Sequence, residues 1–348
     1  MKPRFLIIAL ILLVVFVGCI FIWQMIYLPV EPGSDQQMVF PIKKGEGGKA
    51  IAIKLENYGL IKYGPIFRVY ILFRGASKKL QAGDYSLSPG MNIPEIVNKI
   101  ALGEVIKQKI TIIEGWTLRD IGWYLEGEGI TGAGEFFKVV GFPMTDYSEA
   151  DDLIEPKDFS QEFDFLEDKP KNIGLEGYLF PDTYEIVSGA TNEEIARKIL
   201  ANFDKKLTPD LRKEISRQKK SIFEIVTMAS LIEKEVRTIE DKKLVSGIFW
   251  ERLKIGKPLE SCASIAYILG VNKWRYSFDD TRIKSPYNTY LNRGLPLGPI
   301  SNPGMESILA AIYPEESDYW YYLSTPEGKT IFSRTLEEHN IAKGKYLK

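Results

Sequence analysis

From Phe5 to Trp23 the chain runs through 19 apolar residues without a charge. As a helix such a run crosses roughly 30 Å of hydrocarbon. Lys2 and Arg4 precede it, and the first charges after it are Glu31 and Asp35. Positive flanks stay on the cytoplasmic side, so the pattern predicts a cytoplasmic tail (1–4), a spanning helix (5–30), a linker (31–38) and an exterior remainder. A cleaved signal peptide has a shorter apolar region, about 7–15 residues, that ends in small residues. Here the apolar character continues through Met25, Ile26 and Tyr27.

The exterior part begins with a repeat. Ile51, Leu55, Glu56, Gly59, Leu60, Phe67 and Val69 fall, at a constant offset of 70 positions, on Ile121, Leu125, Glu126, Gly129, Ile130, Phe137 and Val139. Each copy reads as a short strand, a turn at glycine, an amphipathic helix ended by glycine, and a second helix. The first copy continues with a strand near Gly83–Leu87 and a helix opened by Asn92-Ile93-Pro94, with proline in its first turn. The predicted units are a small α+β module at 39–105 and a related repeat at 106–175. In "GGKAIAIKLENYGLI…LQAGDYSL" the first module resembles LysM domains, which implies glycan binding. A spacer or dimerisation unit is the alternative reading of the same pattern.

Farther on, Ser221-Ile222-Phe223-Glu224 has the spacing of a capping box, and apolar periodicity follows to about Val236. At about 100° per residue, Ile222, Ile225, Val226, Ala229, Ile232 and Val236 gather on one stripe. Glu233 projects into that stripe, while Glu224 and Glu235 fall opposite, on the polar face. A carboxylate that breaks an otherwise consistent pattern marks a candidate site. Burial would raise its pKa and suit it to donate a proton; a buried ion pair with Lys or Arg is the competing structural role.

Composition narrows the chemistry to carboxylates, hydroxyls, amides and aromatics. The 348 residues include one histidine, His339, and two cysteines, Cys19 and Cys262. A multi-histidine metal site is excluded, no disulfide framework forms, and no cofactor is expected. With 45 basic and 46 acidic residues the formal charge is −1, without the basic excess that a nucleic-acid partner requires. Ten acidic residues and one lysine lie between Asp146 and Asp168, and this run reads as a solvated, partly mobile insertion in the second repeat.

Around the helix of Glu233 stand polar clusters suited to a cleft. Glu260, Ser261 and Cys262 follow a Gly256-Lys257-Pro258 turn. Tyr287, Asn288, Thr289 and Tyr290 follow Ser285-Pro286. A loop from Gly294 to Gly304 carries Leu295, Pro296, Gly298 and Asn302 among three glycines and three prolines. Trp274, Tyr276, Tyr287 and Tyr290 offer flat apolar faces with polar tips, as sugar sites use.

These residues resemble the YceG-like endolytic murein transglycosylases. The matching stretches are EGYLFPDTY (176–184), ASLIEKE (229–235), LESCAS (259–264), YNTY (287–290), GLPLGPISNPG (294–304) and EHN (338–340), in the family's order. The resemblance implies a catalytic domain at 176–348 of mixed α/β character, and cleavage of the β-1,4 bond between N-acetylmuramic acid and N-acetylglucosamine without water, leaving a 1,6-anhydro end. It implies that Glu233, the first glutamate of the EKE motif, is the catalytic acid. Substrate contacts are expected from Glu260, Ser261, Tyr287, Asn288, Thr289, Tyr290, Leu295, Pro296, Gly298 and Asn302. Relatives commonly carry Gln and Asp in place of Glu260 and Cys262. Expected partners are peptidoglycan glycan strands, the inner membrane, and peptidoglycan synthases with division or elongation proteins. Glu260 is the candidate for a second acid, and the EHN segment with His339 is expected to support the cleft from outside. A glycan-binding scaffold without catalysis and a muramidase hydrolase are the competing functions.

Overall fold

The structure is a computed structural model that describes residues 3–150, 152–273 and 276–347, with side chains from Ile7 onward. Lys2, the side chain of Arg4, Asp151 and Trp274, all used in the sequence reading, lie outside the described residues. The chain divides into two compact units, one formed by residues 1–109 with 185–190, the other by 110–184 with 191–348.

In the first unit a single helix, α1 (Pro3–Tyr27), carries the apolar run, and its segment Ile7–Tyr27 is long and apolar enough to cross a membrane. A strand–helix–helix–strand–helix module follows in the predicted order: β1 (Met38–Ile42), α2 (Gly48–Asn57), α3 (Gly64–Phe73), β2 (Gly83–Leu87) and α4 (Ile93–Leu102). β1 and β2 pair antiparallel, with Phe40 opposite Tyr85. This register turns both rings inward onto Ile51, Leu55, Phe67, Ile96 and Ile100, all fully buried. Asn92 and Glu95 close a capping box that starts α4, and Gly103 ends the helix in the left-handed conformation that glycine adopts without strain.

The second copy of the repeat supplies β3 (Lys107–Thr111), α5 (Leu118–Gly127) and α6 (Ala133–Val140). β3 pairs with β4 (Thr183–Val187), far along the chain, and the boundary between the units runs through both strands. The acidic stretch before β4 keeps most of its described carboxylates at the surface, but it is also anchored. Phe159, Phe163, Phe165 and Leu166 are buried in it, and Phe165 packs edge-on against Phe203 at 5.3 Å. Charges outline this segment while its phenylalanines anchor it.

The rest of the second unit is dominated by helices: α7 (Asn192–Lys206), α8 (Pro209–Arg217), α9 (Ile222–Glu235), α10 (Ile239–Lys254), α11 (Cys262–Leu269), α12 (Met305–Ile312) and α13 (Leu336–Tyr346). One antiparallel hairpin, β5 (Tyr321–Ser324) with β6 (Thr330–Ser333), precedes α13. The chain is α+β, and among the described residues its strands form only two-stranded sheets. The mixed α/β catalytic domain of the sequence reading is therefore a helical assembly with small strand pairs. At its centre α9 packs on α10, α11 and α12. Its start is the predicted capping box, with Ser221 Oγ accepting from Glu224 N at 3.0 Å and Glu224 Oε2 accepting from Ser221 N at 2.8 Å.

Candidate functional site

Helix α9 is enclosed on all sides, not along one stripe. Every residue from Ile225 to Ile232 is buried, including Thr227 and Ser230, which are not among the stripe residues. Ser230 Oγ is satisfied there by donating to Thr227 O at 2.7 Å and accepting from Ile300 N at 3.0 Å. Beyond this buried stretch, in the last turn, Lys234 is exposed and the two flanking carboxylates have different surroundings.

The Glu233 side chain is 9% exposed and fully engaged. Its Oε2 accepts from Gly304 N at 2.9 Å and Ser307 Oγ at 2.7 Å, at the N-terminus of α12. Its Oε1 lies 3.4 Å from Nζ of Lys242, which is itself 3% exposed and also reaches Glu306. An ammonium, a helix N-terminus and a hydroxyl converge on a carboxylate clamping α9, α10 and α12 together. The unpaired carboxyl in apolar surroundings expected from sequence is replaced at Glu233 by this ion-paired arrangement.

Glu235 is half-buried and borders a cavity of about 510 Å³, with Arg252, Glu260, Cys262, Tyr290 and His339 also in its wall. That volume lies within the roughly 300–1,000 Å³ usual for small-molecule sites. Burial raises the Glu235 pKa; hydrogen bonds from Ser261 and from Ala263 N, the Tyr322 hydroxyl and the charge of Arg252 oppose the shift. Ser261 Oγ donates to Glu235 Oε1, and Ala263 N, in the first turn of α11, approaches the same oxygen at 3.4 Å. Glu235 therefore combines the raised pKa and cleft position that the pattern assigned to Glu233.

The other predicted residues divide between the cavity wall and its support. Glu260 and Tyr290 line the cavity, and Ser261 is buried with its hydroxyl turned to Glu235. Glu260 holds a positive φ of 54°, an uncommon conformation outside glycine, and its 43%-exposed side chain pairs with Arg252 at 3.4 Å. Tyr290 OH meets Cys262 Sγ at 3.0 Å, and burial raises the pKa of both groups. Asn288 and Thr289 are buried behind this wall. Thr289 O accepts from Glu260 N at 3.1 Å and Thr289 Oγ1 from Ser261 N at 3.0 Å, so the YNTY segment sets the position of the LES segment. Asn288 Nδ2 donates to Ile283 O at 2.7 Å, a contact inside its own loop. Tyr276 is half-buried, its hydroxyl accepting from Lys273 N at 3.2 Å.

Tyr287, Leu295, Pro296, Gly298 and Asn302 belong to a packed support. Tyr287 is buried edge-on against Tyr267 at 5.1 Å, Pro296 and Gly298 are buried, and Leu295 is half-buried. Asn302 is fully buried: Oδ1 accepts from Leu179 N at 2.9 Å, and Nδ2 donates to Trp116 O at 2.9 Å and Glu176 Oε1 at 3.2 Å. Gly177 has a φ of 87°, and a Cβ there would lie 2.5 Å from Pro299, so only glycine admits the loop this close.

Two further residues are placed differently from the sequence reading or missed by it. His339 does not support the cleft from outside; it lines the cavity, stacked on Tyr321 at 5.3 Å, and burial pushes its pKa down to about 4, leaving a neutral ring. Glu176, quoted in a motif but given no role, is a buried hub. It accepts from Leu118 N at 3.0 Å, Tyr267 OH at 3.0 Å and Asn302 Nδ2 at 3.2 Å, and burial pushes its pKa up to about 8. A glutamate ahead of Gly-Tyr-Leu-Phe has no local pattern that marks it as buried.

Comparison with known proteins agrees with this architecture. The chain matches the YceG-like family over residues 40–345. It is 34% identical over 325 residues to a Bacillus subtilis protein named endolytic murein transglycosylase, covering 92% of this chain and 87% of that one. A Streptococcus pneumoniae protein of the same name is 32% identical over 333 residues, 90% of this chain; the match spans 59% of the longer streptococcal protein. The crystal structure of a yceG-like protein from Listeria monocytogenes superposes with a TM-score of 0.58 at 34% identity, covering 89% of this chain and all of that one. The chain thus belongs to the YceG-like family.

Proposed function

We propose that this protein is a membrane-anchored lytic transglycosylase that cuts the β-1,4 bond between N-acetylmuramic acid and N-acetylglucosamine within peptidoglycan strands, with Glu235 as its acid and base. The observation that carries the reading is a carboxyl of raised pKa facing a cavity of about 510 Å³ with tyrosine, histidine and arginine in its wall. The names of the bacillary and streptococcal relatives support the substrate and reaction class.

In the protonated form Glu235 gives its proton to the glycosidic oxygen as the bond to the muramyl C1 breaks and positive charge develops on the sugar. The resulting carboxylate then takes the proton of the 6-hydroxyl, whose oxygen closes on C1. One carboxyl serves both steps and no water is consumed. Ser261 Oγ and Ala263 N stabilise the carboxylate between the steps. Hydrolysis would normally use a second carboxylate. The other carboxylate in the wall, Glu260, is committed to Arg252. His339 is neutral, and its ring, stacked on Tyr321, contributes a flat face to the wall. Glu233 is assigned a positioning role, fixing the end of α9 through Lys242 and α12.

The N-terminal helix supports an anchor in the bacterial cytoplasmic membrane with the N-terminus inside, where cleavage of nascent strands would end their elongation beside the synthases that make them. The test is mass spectrometry of purified glycan strands treated with the full-length protein in detergent. The proposal expects ends one water lighter than hydrolysis products. Ends carrying the added water mean a hydrolase, and no cleavage by folded protein favours the glycan-binding scaffold.

A further inference from the structure

The first unit leaves an apolar surface uncovered beside its membrane helix. Helix α3 turns Phe67 and Ile71 into the module core, while on its opposite side Val69 and Leu72 are each 66% exposed and Phe73 is 89% exposed. Single exposed apolar residues are ordinary, but three on one face of a ten-residue helix form a patch. Between Glu56 and Asp84 there is no acidic residue and there are five basic ones: Lys62, Arg68, Arg74, Lys78 and Lys79. Arg68 sits within the exposed face and Arg74 caps the helix end. An apolar stripe rimmed by lysine and arginine is the composition of a helix lying in a membrane interface: the apolar groups enter the acyl boundary while the cations meet anionic headgroups.

Position supports the same occupant. α1 touches both α3 and α4, with Met25 and Ile26 half-buried in its last turns. α4 ends in Leu102, which is 70% exposed. Both helices that meet the membrane segment thus leave large apolar side chains exposed.

We propose that the exposed face of α3 is a second membrane contact, docking the first module on the anionic headgroup layer of the bilayer that α1 spans. The inference rests on the reading of α1 as the anchor. Its consequence is a module laid against the bilayer, held by apolar burial together with charge attraction, where a single helix alone would leave it to swing.

The test uses the full-length protein in nanodiscs of mixed phosphatidylglycerol and phosphatidylethanolamine, with a benzophenone amino acid replacing either Val14 in α1 or Phe73 in α3. Photolysis followed by mass spectrometry identifies what each position touches. Lipid adducts at both positions are expected. The Phe73 adduct should fall several-fold, with the Val14 adduct unchanged, in phosphatidylcholine discs or with Arg68→Glu/Arg74→Glu. Lipid adducts at position 14 with none at 73 would overturn the docking while sparing the anchor. A protein–protein crosslink at 73 would overturn it in favour of a second copy of the chain. No lipid adduct at position 14 would remove the anchor itself, and the inference with it.

Discussion

Glu176 offers a quantitative test of the architecture that supports the cavity. It joins the start of α5, Tyr267 of α11 and Asn302 of the proline-rich loop, and α11 carries the Ala263 N–H that approaches Glu235. Burial raises its pKa from 4.5 to about 8. Between those values the folded protein holds a proton that the unfolded chain has released. Its contribution to stability is fully present below pH 4.5 and declines as pH rises through about 8. The slope approaches about 1.4 kcal/mol per pH unit, so from pH 5 to 7.5 the loss is about 3 kcal/mol. Glu176→Gln keeps the shape and an acceptor for Leu118 N but does not titrate. Urea midpoints of wild type and Glu176→Gln in detergent, measured from pH 5 to 8, should show wild type losing stability relative to the variant as pH rises. Parallel curves would refute the buried, protonated hub.

Removing the Ser261 hydroxyl with Ser261→Ala should move the high-pH limb of the activity profile upward, because the lost hydrogen bond favours the carboxylate of Glu235. A hydrogen bond to a charged group is worth about 1.5–3 kcal/mol, so kcat should also fall about tenfold or more, and an unshifted limb would contradict the assignment. Lys242→Met leaves Glu233 without its buried cation and should cost about 3 kcal/mol in urea unfolding, with part of the loss recovered in Lys242→Met/Glu233→Gln. Additive losses in the double variant would show that the pair is not coupled.

Much of the scaffold is legible in the sequence because its signals are local. The apolar run of α1, the strand and helix order of the first module, the proline-started α4 and the capping box of α9 each rest on neighbours within a few positions. The site is harder to read because burial there is set by distant elements. Pattern assigns α9 one apolar stripe and puts Glu235 on its polar side, but α10, α11 and α12 pack around the helix, burying Thr227 and Ser230 and leaving Glu235 half-buried at the cavity. The cation that pairs with Glu233 comes from α10, and the donors that hold Glu235 come from the turn into α11. Neither arrangement follows from helical periodicity. Acidic residues likewise mask Phe159, Phe163 and Phe165, which are buried in a segment whose carboxylates stay at the surface.

The resemblance to the YceG-like family points to the EKE segment, and the proposed choice between its two glutamates rests on their surroundings. Glu233 has the partners of a clamp, and Glu235 has the cavity and the raised pKa. Asn288 and Thr289 are buried supports that hold the wall residues in place, and Asn302 is buried among Leu179, Trp116 and Glu176, away from the wall.

The most direct test compares Glu235→Gln and Glu233→Gln as folded full-length proteins acting on purified glycan strands, with anhydro ends counted by mass spectrometry. Glu235→Gln should yield no anhydro ends, while Glu233→Gln should retain measurable cleavage with the wild-type pH profile. Undiminished anhydro product from Glu235→Gln, with its complete loss in a folded Glu233→Gln, would contradict the account and return the catalytic role to Glu233.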